Sequence, residues 1–233
     1  MFTGKVVVVT GAAGALGRAV FTHFSEQGAQ VVTLDYSDEL LESAFPEKDE
    51  QHRYLSVDLT SAESCSEVLS AVIADLGRID VLCNVAGGFM MGEAVHETTD
   101  KTWDFLMNLN ARSMVNTAQS VVPQMLAQGG GKIINVAAGA ASKGFALMGV
   151  YSASKAAVMR MTEAMAGELR EQNINVNAIM PSMIDTPRNR EDMPDADYSK
   201  WVPPEQLADV IGFLASDAAA AVHGACVPVD GLS

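Results

Sequence analysis

Thr10-Gly11-Ala12-Ala13-Gly14-Ala15-Leu16-Gly17 follows a run of four valines, Val6 to Val9, and leads into a segment with helical spacing. A strand that turns tightly into a helix leaves the helix's first N–H groups unpaired, aimed at whatever lies over the turn. Gly11 permits the turn, small residues through Ala15 let the backbone approach a diphosphate, and Gly17 lets the helix pack closely on the strand. Gly11, Ala13, Gly14, Leu16 and Gly17 are therefore the expected contacts of a dinucleotide. Any tight turn between strand and helix favours small residues, so this spacing needs a second signal. Asp35 supplies one: it ends the second apolar run, 18 residues past Gly17, where a carboxylate accepts from ribose hydroxyls and repels a 2′-phosphate. The expected cofactor is NAD rather than NADP. A solvated acid at a strand end is the plain alternative.

The same alternation of short β-branched runs and helical stretches continues along the chain. Seven strands are expected, at Lys5 to Thr10, Gln30 to Asp35, Arg53 to Val57, Asp80 to Val85, Lys132 to Val136, Asn175 to Ile179 and Cys226 to Val229. Helices are expected at Ala15 to Gln27, Ser61 to Leu76, Lys101 to Gln128, Ser152 to Gln172 and Pro204 to Ala215. Most strands are apolar on both faces, so helices must cover both. The expected fold is α/β: a doubly wound, Rossmann-type parallel sheet of about seven strands, one domain over residues 1–233. Residues 182–203 break the pattern, with Pro187, Pro194 and Pro203 among scattered acids, and read as a mobile lid over the substrate. A plain surface excursion is the alternative.

Composition limits the partners. With 15 basic and 29 acidic residues the net charge is −14, which repels nucleic acid and anionic lipid. No apolar run approaches the ~18 residues of a membrane-spanning helix, and the four valines after Lys5 are too short for a secretion signal. Cys65, Cys83 and Cys226 are odd in number and widely spaced, which suits a reducing cytoplasm. His23, His52, His96 and His223 lack ligand spacing, so no metal is expected.

Tyr151 and Lys155 stand four residues apart at the start of a helical pattern and so project from one face. A phenol is a poor base at neutral pH, but an adjacent ammonium and an oxidised nicotinamide favour the phenolate, so Tyr151 is expected to have a lowered pKa and to exchange a proton. An exposed Tyr and Lys on an amphipathic helix is the bland reading of the spacing alone.

At this point the chain resembles the short-chain dehydrogenase/reductase family over essentially its whole length. The turn, Tyr151-Ser152-Ala153-Ser154-Lys155, Asp58-Leu59 and Asn84-Val85-Ala86-Gly87 carry the likeness. The resemblance implies that Asp58 and Leu59 contact adenine, that Asn84, Ala86 and Gly87 belong to the cofactor site, and that Lys155 binds the nicotinamide ribose. It implies further that Asn110, seven residues after Trp103, holds a water in a proton relay, and that Pro181, Ile184 and Thr186 lie beside the nicotinamide carboxamide. The family's catalytic serine falls thirteen residues before the tyrosine, and here that residue is Ala138; Ser142 and Ser152 are out of register. One branch, the dihydropteridine reductases, is locally similar and likewise lacks that hydroxyl. The Gly11, Gly14, Gly17 spacing, Ala86-Gly87-Gly88-Phe89 and the 182–203 stretch resemble it, whereas Asn84 and Asn110 resemble the alcohol and ketone branch.

Phe89, Met148 and Met183 are expected to line an adaptable apolar pocket, although ordinary core filling accounts equally for many of the chain's methionines. The expected function is NAD(H)-dependent hydride transfer with Tyr151, Lys155 and Asn110 catalytic. A conjugated, dihydropteridine-like ring is the expected small-molecule substrate. General ketone and alcohol chemistry, or NADH binding without turnover because of Ala138, are the alternatives. The family pairs through helices at Lys101 to Gln128 and Ser152 to Gln172, which implies a homodimer or homotetramer.

Overall fold

Val7 and Val9 face one side of a sheet and Val6 and Val8 the other, all four buried, and this alternation organises the molecule. The computed structural model describes residues 1–232. In chain order the elements are Val6–Thr10 (β1), Ala15–Glu26 (α1), Gln30–Asp35 (β2), Asp38–Ala44 (α2), Arg53–Ser56 (β3), Ala62–Leu76 (α3), Val81–Asn84 (β4), Asp100–Met107 (α4), Ser113–Ala127 (α5), Gly131–Val136 (β5), Gly149–Leu169 (α6), Ile174–Pro181 (β6), Pro187–Asp192 (α7), Pro204–Ala215 (α8) and Cys226–Val229 (β7). The strands form one parallel sheet in the order β3-β2-β1-β4-β5-β6-β7. Phe24 of α1 and Leu207 and Ile211 of α8 bury against Val7 and Val9. Leu69 of α3 and Val121 and Met125 of α5 bury against Val6 and Val8. Each such side chain contributes about 1.5–3 kcal/mol when fully removed from water.

The strand order reverses between β1 and β4, and a crevice opens there at the carboxyl ends of the strands. All seven expected strands are present, two with the expected bounds and the others with ends that differ by at most two residues. β4 begins at Val81; just before it, the Asp80 backbone bonds to Val6 O and the Lys132 N–H, and its carboxylate takes Arg78, Lys5 and the Val6 N–H. These groups hold its carboxyl below the usual range against the opposing effect of burial.

Three expectations need correction. The helix α2 was not foreseen; it is seven residues long, buries only Leu41, and is started by the Ser37 hydroxyl accepting from the Leu40 N–H. The stretch from Lys101 to Gln128 is helical but not uniformly so, because Asn108–Arg112 winds as a π-helix between α4 and α5. Residues 182–203 are not structureless. They contain α7 and a 3₁₀ turn at Tyr198–Lys200, and are closed at the base by bonds from Asp185 N to Val202 O and from Val202 N to Met183 O, both 2.9 Å. The Tyr198 hydroxyl lies within 3.2 Å of three carbonyls of this segment, and Trp201 is buried beside its ring. Among the described residues no helix is long and apolar enough to cross a membrane.

Candidate active site

The crevice is a cleft of about 870 Å³. One wall is the turn between β1 and α1. Gly11 has φ +63°, and a Cβ there would stand 2.7 Å from Ala86 Cα; a Cβ on Gly17 would overlap the Gly11 carbonyl. Neither place tolerates a side chain. The helices α2, α3, α4 and α7 each begin on a Ser or Thr whose hydroxyl accepts from the helix's third residue, whereas α1 begins on Gly14 with no side chain to offer. The N–H groups of its first turn therefore remain for an anion in the cleft.

Asp35 ends β2 at the rim. Its carboxylate accepts from the Ala13 N–H and the Tyr36 N–H, both at 2.8 Å, which fixes it against the turn while leaving lone pairs for hydroxyl donors. Asp58, Leu59, Ala86, Gly87, Leu16 and Thr186 also line the cleft. Thr186 does so while its hydroxyl caps α7. Pro181 closes β6, and Ile184 packs on the α1 and α8 side of the core.

Asn84 departs from expectation. Its amide donates to Asn135 Oδ1 at 2.8 Å and its Oδ1 accepts from the Thr117 hydroxyl at 2.8 Å, while Asn135 in turn donates to Thr162 at 2.9 Å. A buried amide needs its donors and acceptors matched, and here the core matches them, so this side chain does not face the cleft.

At the other end of the cleft, α6 carries Tyr151 and Lys155, with Lys155 Nζ beside the cleft-lining Gly87. Lys155 is buried and donates to Val136 O at 2.9 Å. A Cβ on Gly87 would meet both Lys155 Nζ and Asn110 Oδ1 at 2.9 Å, so the two converge over a residue with no side chain. Asn110 sits in the π turn, with Oδ1 accepting from the Gly88 N–H at 2.8 Å and Nδ2 donating to Gly88 O at 3.0 Å and Ser154 Oγ at 2.9 Å. Its amide thus clamps protein groups on two sides. Ser154 donates on to Tyr151 O at 2.8 Å. Neither Ser154 nor Thr10, whose hydroxyl accepts from the Val85 and Ala86 N–H groups, was singled out by sequence, though both lie inside motifs that were.

The protein groups around Tyr151 do not by themselves supply the expected lowering of its pKa. Burial pushes the phenol up to about 12, because with Lys155 turned to Val136 desolvation is the one cause acting on it. Burial also pushes the Lys155 ammonium down to about 8. At ~1.4 kcal/mol per tenfold change in proton affinity, the charged form is disfavoured by roughly 3 kcal/mol. That penalty is complete below pH 8 and fades as pH rises toward the unfolded value, so stability gains with pH across this interval. Lys155→Met removes the penalty and loses a hydrogen bond of about 1 kcal/mol. Thermal unfolding is expected to show the variant more stable than wild type below pH 8, with the gap closing near pH 10.

Ala138 is buried, and its methyl stands where a hydroxyl was sought. Ser142 donates to Gly139 O, and the Ser152 hydroxyl is buried without a partner. Phe89 packs edge-to-face on Tyr151, with ring centroids 4.8 Å apart. Met148 precedes α6 and Met183 follows β6, both half-buried. Among the described residues no group of three or more His, Cys, Asp or Glu is placed to hold a metal.

Comparison with known proteins matches residues 5–197 to the family model for short chain dehydrogenase. The chain belongs to the short-chain dehydrogenase/reductase family. The NAD-dependent glycerol dehydrogenase of Listeria innocua is 36% identical, over 98% of this chain and 93% of that protein. A 3-oxoacyl-(acyl-carrier-protein) reductase of Thermotoga maritima is 35% identical over 98% and 97%. Among solved structures, NAD+-bound xylitol dehydrogenase superposes with a TM-score of 0.91 at 28% identity, covering 99% of both chains. Levodione reductase gives 0.90 at 27% identity, covering 99% of this chain and 98% of the other. This short-chain dehydrogenase/reductase is accordingly an oxidoreductase.

Proposed function

We propose that the protein is NAD(H)-dependent and that Tyr151 exchanges the proton that accompanies hydride transfer. The observation that carries this reading is the cleft itself. Asp35 is fixed at one end, side-chain-free Gly11, Gly14 and Gly17 stand at the middle, and Lys155 and Asn110 converge over Gly87 at the other end. The turn and the first turn of α1 would hold the diphosphate, Asp35 the adenosine ribose, Asp58 and Leu59 the adenine, Lys155 the second ribose, and Pro181, Ile184 and Thr186 the carboxamide. When bound, the nicotinamide supplies or accepts the hydride. Residues 182–203 would cover the substrate, and pairing through α5 and α6 would give a homodimer or homotetramer.

For substrate, a ketone or secondary alcohol is the main reading, in keeping with relatives named for glycerol and oxoacyl substrates. A dihydropteridine-like conjugated ring is the second reading. Ala138 favours it, because charge spread over a ring needs a separate hydroxyl donor less than charge on one oxygen does. Steady-state turnover of both classes with NADH separates the two.

Cofactor choice is tested at Asp35. Wild type is expected to prefer NADH over NADPH in kcat/KM, and Asp35→Ala to lower that preference at least tenfold by removing both the ribose acceptor and the charge that opposes a 2′-phosphate. An unchanged ratio would show that Asp35 does not contact the ribose.

A further inference from the structure

Phe89, which packs on the Tyr151 ring, and its neighbours along the chain leave apolar surface in water. Phe89 remains 55% exposed, Met91 58% and Leu147 48%, with Met90 and Phe145 also exposed. Phe89 to Met91 belong to a short strap tied at both ends. Gly88 is held through its N–H and its carbonyl by Asn110, and the Gly92 N–H donates to Leu147 O at 2.9 Å. Leu147 takes φ +61°, a conformation that costs a bulky L-residue roughly 1–2 kcal/mol. Strain of this kind persists where the surroundings impose it, commonly at functional sites.

The polar side chains that neighbour these residues along the chain are partly engaged. Ser142 donates to Gly139 O, Glu93 accepts from the Thr102 hydroxyl, Lys143 lies over the Phe145 ring at 5.1 Å, and Ala138 has nothing to donate. A polyol would have to give up water for this collar without recovering its hydrogen bonds, whereas an apolar ring would cover carbon that is already exposed.

We propose that Phe89, on the strap tied at Gly88 and Gly92, is a specificity-determining residue that selects cyclic, apolar-faced carbonyl compounds and their alcohols over acyclic polyols. The inference rests on the oxidoreductase reading above and narrows its substrate class. It differs from the polyol named for the Listeria innocua relative.

The test compares cyclohexanone with dihydroxyacetone for wild type, Phe89→Ala and Phe89→Leu. Two readouts are taken: kcat/KM with NADH, and binding followed by saturation-transfer NMR in the presence of NAD+, which cannot reduce either compound. Expected are at least a tenfold wild-type preference for cyclohexanone, a tenfold loss of that preference in Phe89→Ala, partial retention in Phe89→Leu, and a smaller fall for dihydroxyacetone than for cyclohexanone. The NMR signal of cyclohexanone should weaken in parallel. A wild-type preference for dihydroxyacetone overturns the proposal, as does an equal fall for both compounds. Wild type that binds NADH but neither binds nor reduces cyclohexanone also overturns it while leaving the cofactor reading intact. Failure to bind NADH would instead overturn that underlying reading.

Discussion

Tyr151→Phe is expected to lower kcat by about 10²–10⁴, the range for loss of a positioned acid–base group, while NADH affinity measured by fluorescence titration stays within twofold. Phenylalanine keeps the edge-to-face packing with Phe89 and the half-buried position at the start of α6, so only the proton-carrying oxygen is lost. The direction of the pH dependence follows from the environment. Because burial pushes the phenol up to about 12, Tyr151 is protonated through the neutral range, the form that the proposed acid role in reduction requires. Reduction is expected to stay flat from pH 6 to 8 as far as this group governs it, and to fail only as the phenol is deprotonated at high pH. Oxidation needs the phenolate and is expected to climb with pH over the same interval. Both profiles should vanish together in Tyr151→Phe. Wild type that binds NADH and turns over no substrate in either direction, leaving the variant nothing to lose, would favour a nucleotide-binding protein without turnover.

The parallel sheet and its crevice were legible because burial on both faces writes itself into sequence as continuous apolar runs, as in Val6 to Val9. The glycine turn was legible for a related reason: Gly11 and Gly17 stand where backbone lies too close for any Cβ, a local demand on residue type. What stayed hidden depends on partners far along the chain. Asn84 could be assigned to the cofactor by motif, but whether its amide faces the cleft or the core is decided by Asn135 and Thr117, 51 and 33 residues away. The π turn at Asn108–Arg112 has no residue signature of its own in a stretch that reads as one helix, yet it sets where Asn110 points. The short α2 buries one leucine, too little for periodicity to register. The raised pKa of Tyr151 was hidden in the same way. Spacing put Lys155 on its face, but the acceptor that takes the ammonium, Val136 O, belongs to a different strand.

Ala138→Ser provides the sharpest separation between the two substrate readings. A ketone concentrates charge on one oxygen as hydride arrives, and each preorganised donor aimed at that oxygen is worth about 10²–10³ in kcat. Tyr151 is the one proposed donor of this kind; Ala138 offers a methyl, Ser142 is bonded to Gly139 O, and Ser152 is buried in α6. If localised carbonyl chemistry is the natural reaction, a hydroxyl restored at residue 138 should raise kcat for simple ketones about a hundredfold. The added oxygen is small, and residue 138 is extended ahead of a 3₁₀ turn, a backbone shape that serine adopts freely, so loss of fold should not mask the gain. For a conjugated ring the same substitution should change kcat less than threefold, because the charge accepted by the ring is shared among several atoms and none of them depends on one donor. Measuring kcat for a simple ketone and a quinonoid dihydropteridine in wild type and Ala138→Ser therefore reads the location of developing charge directly. A large gain confined to the ketone would mean that the site lacks one stabiliser for that chemistry. No gain on either compound would mean that residue 138 does not face the reacting oxygen.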